Sequence, residues 1–259
     1  MQQSASHSWA IEKYVLLVRK LQGTSPKTLH IIHFGYWLPY STLTFGISTR
    51  NLQPKIPFDM ASTTSSVLGL QLPTDPRWVH LAEKRLEDIL TDHAYCEQKA
   101  ASTCISLIQQ YPEKQKLVDD LAPIVTEEWG HFRLVLQEMR KRGLEPGRQR
   151  KDEYVVALMK CERKEGDHEG RLLERLLIAA LIEARSCERF KLLSENLEEE
   201  DLRKFYRHFM ESEAGHYRLF IDIAKTYFDD NQVQERWQEF LEEEAQIMKN
   251  ISIRGDRMH

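Results

Sequence analysis

The stretch EAGHYRL at residues 213–219 has a near copy in EWGHFRL at residues 128–134. In each stretch a glutamate stands three positions before a histidine, Glu213 before His216 and Glu128 before His131. Side chains at this spacing lie on one face of a helix, so one helix can present a carboxylate and an imidazole to a single metal ion. The sequence does this twice, which predicts a helical fold built around a metal site.

Another glutamate stands about 30 residues upstream of each pair, roughly the length of one antiparallel helical hairpin. These residues are Glu97 and Glu183, each inside an apolar helical run. Four-helix bundles hold two iron or two manganese ions with such a set, one Glu from each of two helices and one Glu-x-x-His from each of the other two. We therefore expect the metal ligands to be Glu97, Glu128, His131, Glu183, Glu213 and His216.

A chance origin of the motif is the competing interpretation. The chain has 10 histidines and is rich in glutamate, so Glu-x-x-His should arise about once by accident. A third instance, from Glu165 to His168, lies in a Gly- and charge-rich connection, and we interpret it as that accident. The other two copies share a Gly-His-aromatic-Arg-Leu context. This context favours a metal site over charged helix faces that only look repeated.

The positions of the expected ligands also suggest their roles. Glu128 and Glu213 would bridge the two ions, the two upstream glutamates would be outer carboxylates, and each histidine would complete one ion. Four carboxylates balance the charge of two divalent ions, and the set suits iron or manganese. Glu127 precedes the first pair, and it either hydrogen-bonds a ligand histidine from behind or is a solvated surface acid.

Composition places the chain among globular proteins. Its 259 residues are 41% hydrophobic, which is enough for a sizeable core in one large or two small domains. The formal net charge of −4 argues against wholesale binding to nucleic acid or membrane and leaves room for local patches. The four cysteines form no C-x-x-C pair, so we expect reduced, packed thiols in a cytoplasmic protein.

Residues 1–59 differ in composition from the rest, with only two acids and eight aromatic residues. The uncharged run at 28–49 contains His, Gly, Pro, Ser and Thr, which argues against a membrane span, and no signal peptide is indicated. One hypothesis places the native start at Met60. The expected organisation is an N-terminal extension without an assigned role at 1–59, a flexible lead-in at 60–74, a di-iron domain at 75–250 and a frayed basic tail at 251–259.

Periodicity and capping residues predict an all-α domain. The first helix should begin at Asp75 and end at Tyr111, and the second should stop at Gly143 after a kink at Pro123. The remaining helices are expected at about 152–163, from about 167, at about 198–228 and at about 233–248. Together they predict a ferritin-like four-helix bundle with extra peripheral helices.

Three runs of residues carry a resemblance to a known family: IEARSCERF at 182–190, CEQKAAS at 96–102 and SEAGHY at 212–217. The chain resembles the tRNA hydroxylases that act on 2-methylthio-isopentenyladenosine beside the anticodon. The resemblance covers about residues 73–250, includes all six expected ligands, and is most specific in the run EARSCERF.

The resemblance implies an O2-dependent, non-haem di-iron monooxygenase that hydroxylates the isopentenyl group of (2-methylthio-)N6-isopentenyladenosine in tRNA. Its cofactors would be two iron ions, with dioxygen as co-substrate. Because the sequence shows no flavin, haem or iron–sulfur motif, electrons should come from an external reductase or ferredoxin. The alternatives are another ferritin-like di-iron oxidase or oxygenase, a ferroxidase or iron-storage bundle, and a metal-free helical interaction module.

Two groups of basic residues are further candidates. One is the basic stretch, Arg140, Lys141, Arg142, Arg148, Arg150 and Lys151, which would contact tRNA phosphates. The competing interpretation is a solvated helix end whose cations favour the C-terminal dipole. The other group is Arg185 and Arg189, which flank Glu183 and would either support the ligands or form ion pairs with them.

Overall fold

The computed structural model describes residues 67–164 and 167–259. The described helices all belong to one compact unit, Met60–His259. The expectations for residues 1–59, including the hypothesis of a start at Met60, lie outside the described residues, as does most of the lead-in.

Seven α-helices and no strand occur in the described ranges. The helices are α1 (Arg77–Glu83), α2 (Leu86–Gln110), α3 (Gln115–Lys141), α4 (Glu153–Cys161), α5 (His168–Asn196), α6 (Glu200–Tyr227) and α7 (Asp230–Asn250). Short turns join α2 to α3 and α5 to α6, and each pair packs together as a helical hairpin. The two hairpins form a four-helix bundle with α1, α4 and α7 at its periphery, which confirms the predicted all-α architecture. None of these described helices combines the length and apolarity that a membrane crossing requires.

Local signals explain several helix ends. Gly143, at φ 69°, ends α3 in the left-handed region that glycine adopts without strain. Asp152 caps α4 by accepting a hydrogen bond from the backbone N–H of Val155, and Asp167 caps α5 through Gly170. The excursion between α3 and α5, which contains α4, was predicted from these same signals.

The first predicted helix is wrong as a single element. The structure divides it into α1 and α2, with Arg85 at φ −127° and ψ 42° between them. Tertiary contacts accompany the break, since Trp78 of α1 is fully buried and its indole N–H donates to the carbonyl of Arg257. No glycine or proline marks this position, so the residues around it contain no local signal of a break.

The tail at 251–259, which we name the strap, is also not frayed as expected. Asp256, Met258 and His259 are buried, and the Met258 N–H donates to Asp92 Oδ2 at 2.8 Å. A Cβ on Gly255 would lie 2.2 Å from the carbonyl oxygen of Leu81, so only glycine fits there. Arg254 is one of the basic side chains that suggested a frayed tail. Its hydrogen bond with Asp256 is the main cause that lowers the pKa of Asp256 to about 2.

The apolar core of the bundle is divided into two clusters. One contains Leu107, Leu121, Leu176 and Ile223, and the other contains Leu90, Val135, Phe190 and Phe209. On each of the four bundle helices, the chain passes from one cluster to the other through a buried glutamate. A polar layer therefore crosses the middle of the bundle, where unpaired charge is costly.

Candidate metal centre

The six residues expected to bind metal converge in this polar layer, and all are buried. Helix α2 supplies Glu97, α3 supplies Glu128 and His131, α5 supplies Glu183, and α6 supplies Glu213 and His216. Their donor atoms form two groups, each with all atoms within 4.8 Å of one another. The first group is Glu97, Glu128, His131 and Glu213, and the second is Glu128, Glu183, Glu213 and His216. Glu128 and Glu213 belong to both groups, as expected of carboxylates between two ions.

Both histidines turn the same ring nitrogen towards the carboxylates. The Nδ1 atom of His216 lies 2.7 Å from Glu128 Oε1 and 3.3 Å from Glu213 Oε2. The Nδ1 atom of His131 lies 3.3 Å from Glu128 Oε2 and 3.4 Å from Glu97 Oε2. Nδ1 is therefore the nitrogen available to a metal, and Nε2 is left for a partner on the other side of each ring.

Glu127 stands on that other side. Its Oε1 atom lies 3.5 Å from Nε2 of His216 and 3.9 Å from Nε2 of His131, and it accepts a hydrogen bond from Ser212 Oγ at 2.7 Å. Burial acts to raise the pKa of Glu127, but the Ser212 hydrogen bond and the two histidines outweigh it and lower the pKa. An ionised carboxylate at this point can orient both imidazoles.

The pKa values of the four glutamates indicate that the cluster needs added positive charge to ionise fully. Burial, together with repulsion from Glu128 and Glu213 respectively, raises the pKa values of Glu97 and Glu183 well above the usual range. Burial also raises the pKa of Glu213 to about 7. Burial opposes ionisation of Glu128 as well, yet the close approach of His131 and His216 lowers its pKa to about 2. Four carboxylates in one layer cannot all ionise without cations.

The donor set fits a pair of divalent ions. Glu128 Oε1 is buried without a hydrogen bond of acceptable geometry, despite its short distance to His216 Nδ1. An unsatisfied buried oxygen is costly unless something else binds it. Two ions would bind it and balance the four carboxylates, and mixed carboxylate and imidazole ligands suit iron and manganese.

His93 is a residue at this site that the sequence analysis missed. Its Nε2 atom lies 2.7 Å from Glu97 Oε1, and its ring is fully buried against Phe190 and Phe209, at centroid distances of 4.7 and 4.5 Å. Burial lowers its pKa well below the usual value, so the ring stays neutral. The available signal was its spacing, because His93 stands four residues before Glu97 on the same helical face.

A cavity reaches this polar layer. Its apolar lining comes from α2, α4, α5 and α6. Its polar lining comes from the carboxylates and from a second group of polar side chains. The apolar residues are Ala100, Val155, Ala179, Ile182 and Phe220. The polar residues beyond the carboxylate layer are Cys96, Lys99, Thr103, Asp152, Ser186 and His259. The lining of the cavity thus contains both apolar and polar side chains.

The structure does not bring Arg185 and Arg189 to the cluster. Arg185 forms ion pairs with Glu188 at 2.5 Å and Glu244 at 2.6 Å. The guanidinium of Arg189 lies 4.4 Å from the centre of the Trp78 ring. The described contacts of both side chains join α5 to α7, α1, the segment before α1 and the strap rather than to the ligands.

The basic stretch contains two kinds of residue. Arg142 pairs with Glu138 and Glu199, and Arg150 pairs with Asp88 at 2.6 Å. Lys141 lies 3.6 Å from Asp201, a loose exposed contact. In contrast, the exposed residues Arg140, Arg148 and Lys151 have no ion pair among the described contacts. Lys151 directly precedes Asp152, which lines the cavity.

The chain is similar to several known proteins. Residues 62–259 match the family model described as tRNA-(MS[2]IO[6]A)-hydroxylase (MiaE). The tRNA 2-(methylsulfanyl)-N(6)-isopentenyladenosine(37) hydroxylase of Pseudomonas putida is 38% identical over 162 residues, covering 62% of this chain and 77% of that protein. The protein of the same name from Salmonella typhimurium is 28% identical over 229 residues, 69% of this chain and 83% of that protein.

A solved structure is also similar. It is a protein with aldehyde deformylating oxygenase activity from Synechococcus, with a TM-score of 0.69 and 32% identity. The match covers 73% of this chain and 94% of that chain. The architecture is the ferritin-like four-helix bundle that the sequence predicted.

Proposed function

The chain belongs to the MiaE family of tRNA hydroxylases, and from this membership we propose that its six converging side chains hold two iron ions that activate dioxygen. The protein is an enzyme that hydroxylates the isopentenyl group of 2-methylthio-N6-isopentenyladenosine in tRNA. The observation that carries the proposal is the pair of donor groups that share Glu128 and Glu213.

Each iron would be held by one outer glutamate, one histidine and the two shared glutamates. Glu97 and His131 would hold the first ion, and Glu183 and His216 would hold the second. Bound iron supplies the oxidising power that an unactivated C–H bond requires. Glu127 keeps both imidazoles in place through their Nε2 atoms, and His93 limits the positions open to Glu97.

The cavity residues position the substrate. A base paired or stacked in the anticodon loop cannot reach a buried site, so the modified adenosine must leave the stack and enter the cavity. Its isopentenyl group is apolar and suits the wall formed by Ala100, Ala179, Ile182 and Phe220. The same wall excludes water from the reacting carbon.

The tRNA and the electron donor approach from outside the bundle. Arg140, Arg148 and Lys151 are exposed and free of described ion pairs, which supports phosphate contacts by this part of the basic stretch. Arg142 and Arg150 are engaged in pairs with acids of the same chain and contribute less. Each turnover consumes two electrons, which an external reductase or ferredoxin provides. The enzyme works with its tRNA in the cytoplasm.

A tRNA digest tests the proposal. The iron-loaded protein is incubated with prenylated tRNA, dioxygen and an electron donor, and the nucleosides are analysed by mass. We expect a gain of one oxygen on the prenylated adenosine, and its loss in Glu128→Ala. Glu169→Ala, a change of an acid at the start of α5 away from the cluster, is the matched control and keeps the activity. Absence of the gain in a protein confirmed to hold two irons would refute the proposal.

A further inference from the structure

The strap brings one of its side chains into the cavity. His259 lines the cavity together with Glu97 and Glu183, although it follows the last bundle helix by more than thirty positions in the sequence. The residue is 7% exposed, so it forms part of the wall rather than a loose edge. One of its ring nitrogens lies within 4.8 Å of donor atoms of Cys96 and Asp152, a group separate from the two that share Glu128 and Glu213.

The His259 ring is held on three sides. Its Nε2 atom lies 2.9 Å from Ser186 Oγ, and its Nδ1 atom lies 3.4 Å from Asp152 Oδ2. Tyr154, which does not line the cavity, stacks on the ring at a centroid distance of 5.2 Å and an interplanar angle of 23°. The imidazole is therefore fixed in orientation before any substrate arrives, and it is one of the residues that line the cavity.

The partners of His259 are themselves fixed. Lys99 Nζ lies 3.0 Å from Asp152 Oδ2, and the backbone N–H of Val155 donates to Asp152 Oδ1 at 3.0 Å. Burial acts to raise the pKa of Asp152, but contacts with His259 and Lys99 outweigh it and lower the pKa. Asp152 is thus a buried, ionised acceptor that holds the ring from one edge, and this arrangement is preorganised.

The backbone of the strap is also fixed by contacts with the rest of the chain. The Met258 N–H donates to Asp92, Gly255 packs against the backbone of Leu81, and the carbonyl of Arg257 accepts from Trp78. These contacts fix the residues directly before His259. They do not explain why the next residue, His259, has an aromatic side chain that lines the cavity.

We propose that His259 is a substrate-binding residue whose fixed ring receives the adenine of the prenylated nucleoside. This inference rests on the proposed function. Proteins that take a base out of a nucleic-acid stack hold it by stacking on aromatic side chains and by hydrogen bonds to its edges. The polar wall around His259 then holds the purine, and the apolar wall around Phe220 and Ile182 holds the isopentenyl group.

Binding measurements test the inference without turnover. The probes are two synthetic anticodon stem-loops, one with 2-methylthio-N6-isopentenyladenosine and one with adenosine at that position. Dissociation constants are measured by fluorescence anisotropy with the iron-loaded protein and no electron donor. We expect His259→Ala to bind the modified loop about tenfold more weakly, because stacking of one base contributes roughly that much. His259→Phe should recover most of the loss, and His80→Ala, at an exposed histidine on α1, should change nothing.

The outcomes separate this inference from the proposed function. Unchanged affinity in His259→Ala would overturn the inference, as would a His259→Phe variant that regains the wild-type melting temperature and not the affinity. In the second case the ring would only lock the strap. If the wild-type protein itself does not prefer the modified loop, the proposed function fails instead.

Discussion

Glu127 Oε1 lies 3.5 Å from Nε2 of His216, on the side of the ring opposite the carboxylate cluster. The same oxygen is 3.9 Å from Nε2 of His131, so one half-exposed carboxylate serves both imidazoles. This relationship links the two halves of the internal repeat, since Glu127 and His131 belong to α3 and His216 belongs to α6.

Replacement of Glu127 should therefore weaken metal binding. We expect Glu127→Gln to lower the affinity for iron by about 10- to 100-fold, because carboxylates that orient ligand histidines typically contribute this much. Competition with a chelator measures the affinity. Glu211→Gln, an exposed acid one residue before Ser212, is the matched control. Equal affinities in the two variants would mean that Glu127 is only a surface acid.

The stability of the metal-free protein should depend on pH in a defined direction. The pKa of Glu213 is raised from 4.5 to about 7 in the folded chain, so between these values the folded state binds more protons than the unfolded state. Stability then falls as the pH rises through this window. We expect the melting temperature of the metal-free protein to be lower at pH 8 than at pH 5.

Bound metal should abolish this dependence, because the ions compensate the ionised carboxylates and stabilise the fold by mass action. Calorimetry of the two forms across the same pH range measures the effect. A metal-free protein that becomes more stable as the pH rises would contradict the electrostatic account of the cluster.

Two glycines with opposite surroundings provide a paired test of packing. A Cβ on Gly255 would overlap the Leu81 carbonyl oxygen, so Gly255→Ala should displace the strap and destabilise the protein by about 1–3 kcal/mol. Gly130 lies inside α3 with open space around it, and Gly130→Ala should stabilise by up to about 1 kcal/mol. Thermal unfolding of both variants measures the difference. Equal melting temperatures would show that the strap adjusts to the added methyl group without loss of stability.

The bundle could be predicted because its signals are local. Each ligand helix shows a glutamate that interrupts an apolar stripe, as Glu97 does between Ala94 and Ala101. The strap could not, because its contacts are distant in sequence: Asp152 and His259 are 107 residues apart, and nothing near either residue indicates the other. His93 was missed for a different reason, since a histidine on an apolar stripe usually indicates a packed core residue.

The ion pairs of the basic stretch led to a sharper prediction than the sequence allowed. Sequence alone treats Arg142 and Arg148 as equivalent cations. The structure distinguishes them, because Arg142 is bound by Glu138 and Glu199 whereas Arg148 has no described ion pair. Charge clustering in a sequence gives the number of cations and not how many are already neutralised.

Removal of the unpaired cations should weaken tRNA binding in a salt-dependent way. When a variant cannot bind one of the phosphates, the slope of log K against log salt falls in magnitude by about one. We therefore expect Arg148→Ala and Lys151→Ala each to reduce the slope, and Arg142→Ala to leave it unchanged while lowering the melting temperature. Filter binding of tRNA at several salt concentrations measures the slopes. If Arg142→Ala alone reduces the slope, the phosphates are bound at the end of α3, and the segment that leads to Asp152 and the cavity has no part in docking the tRNA.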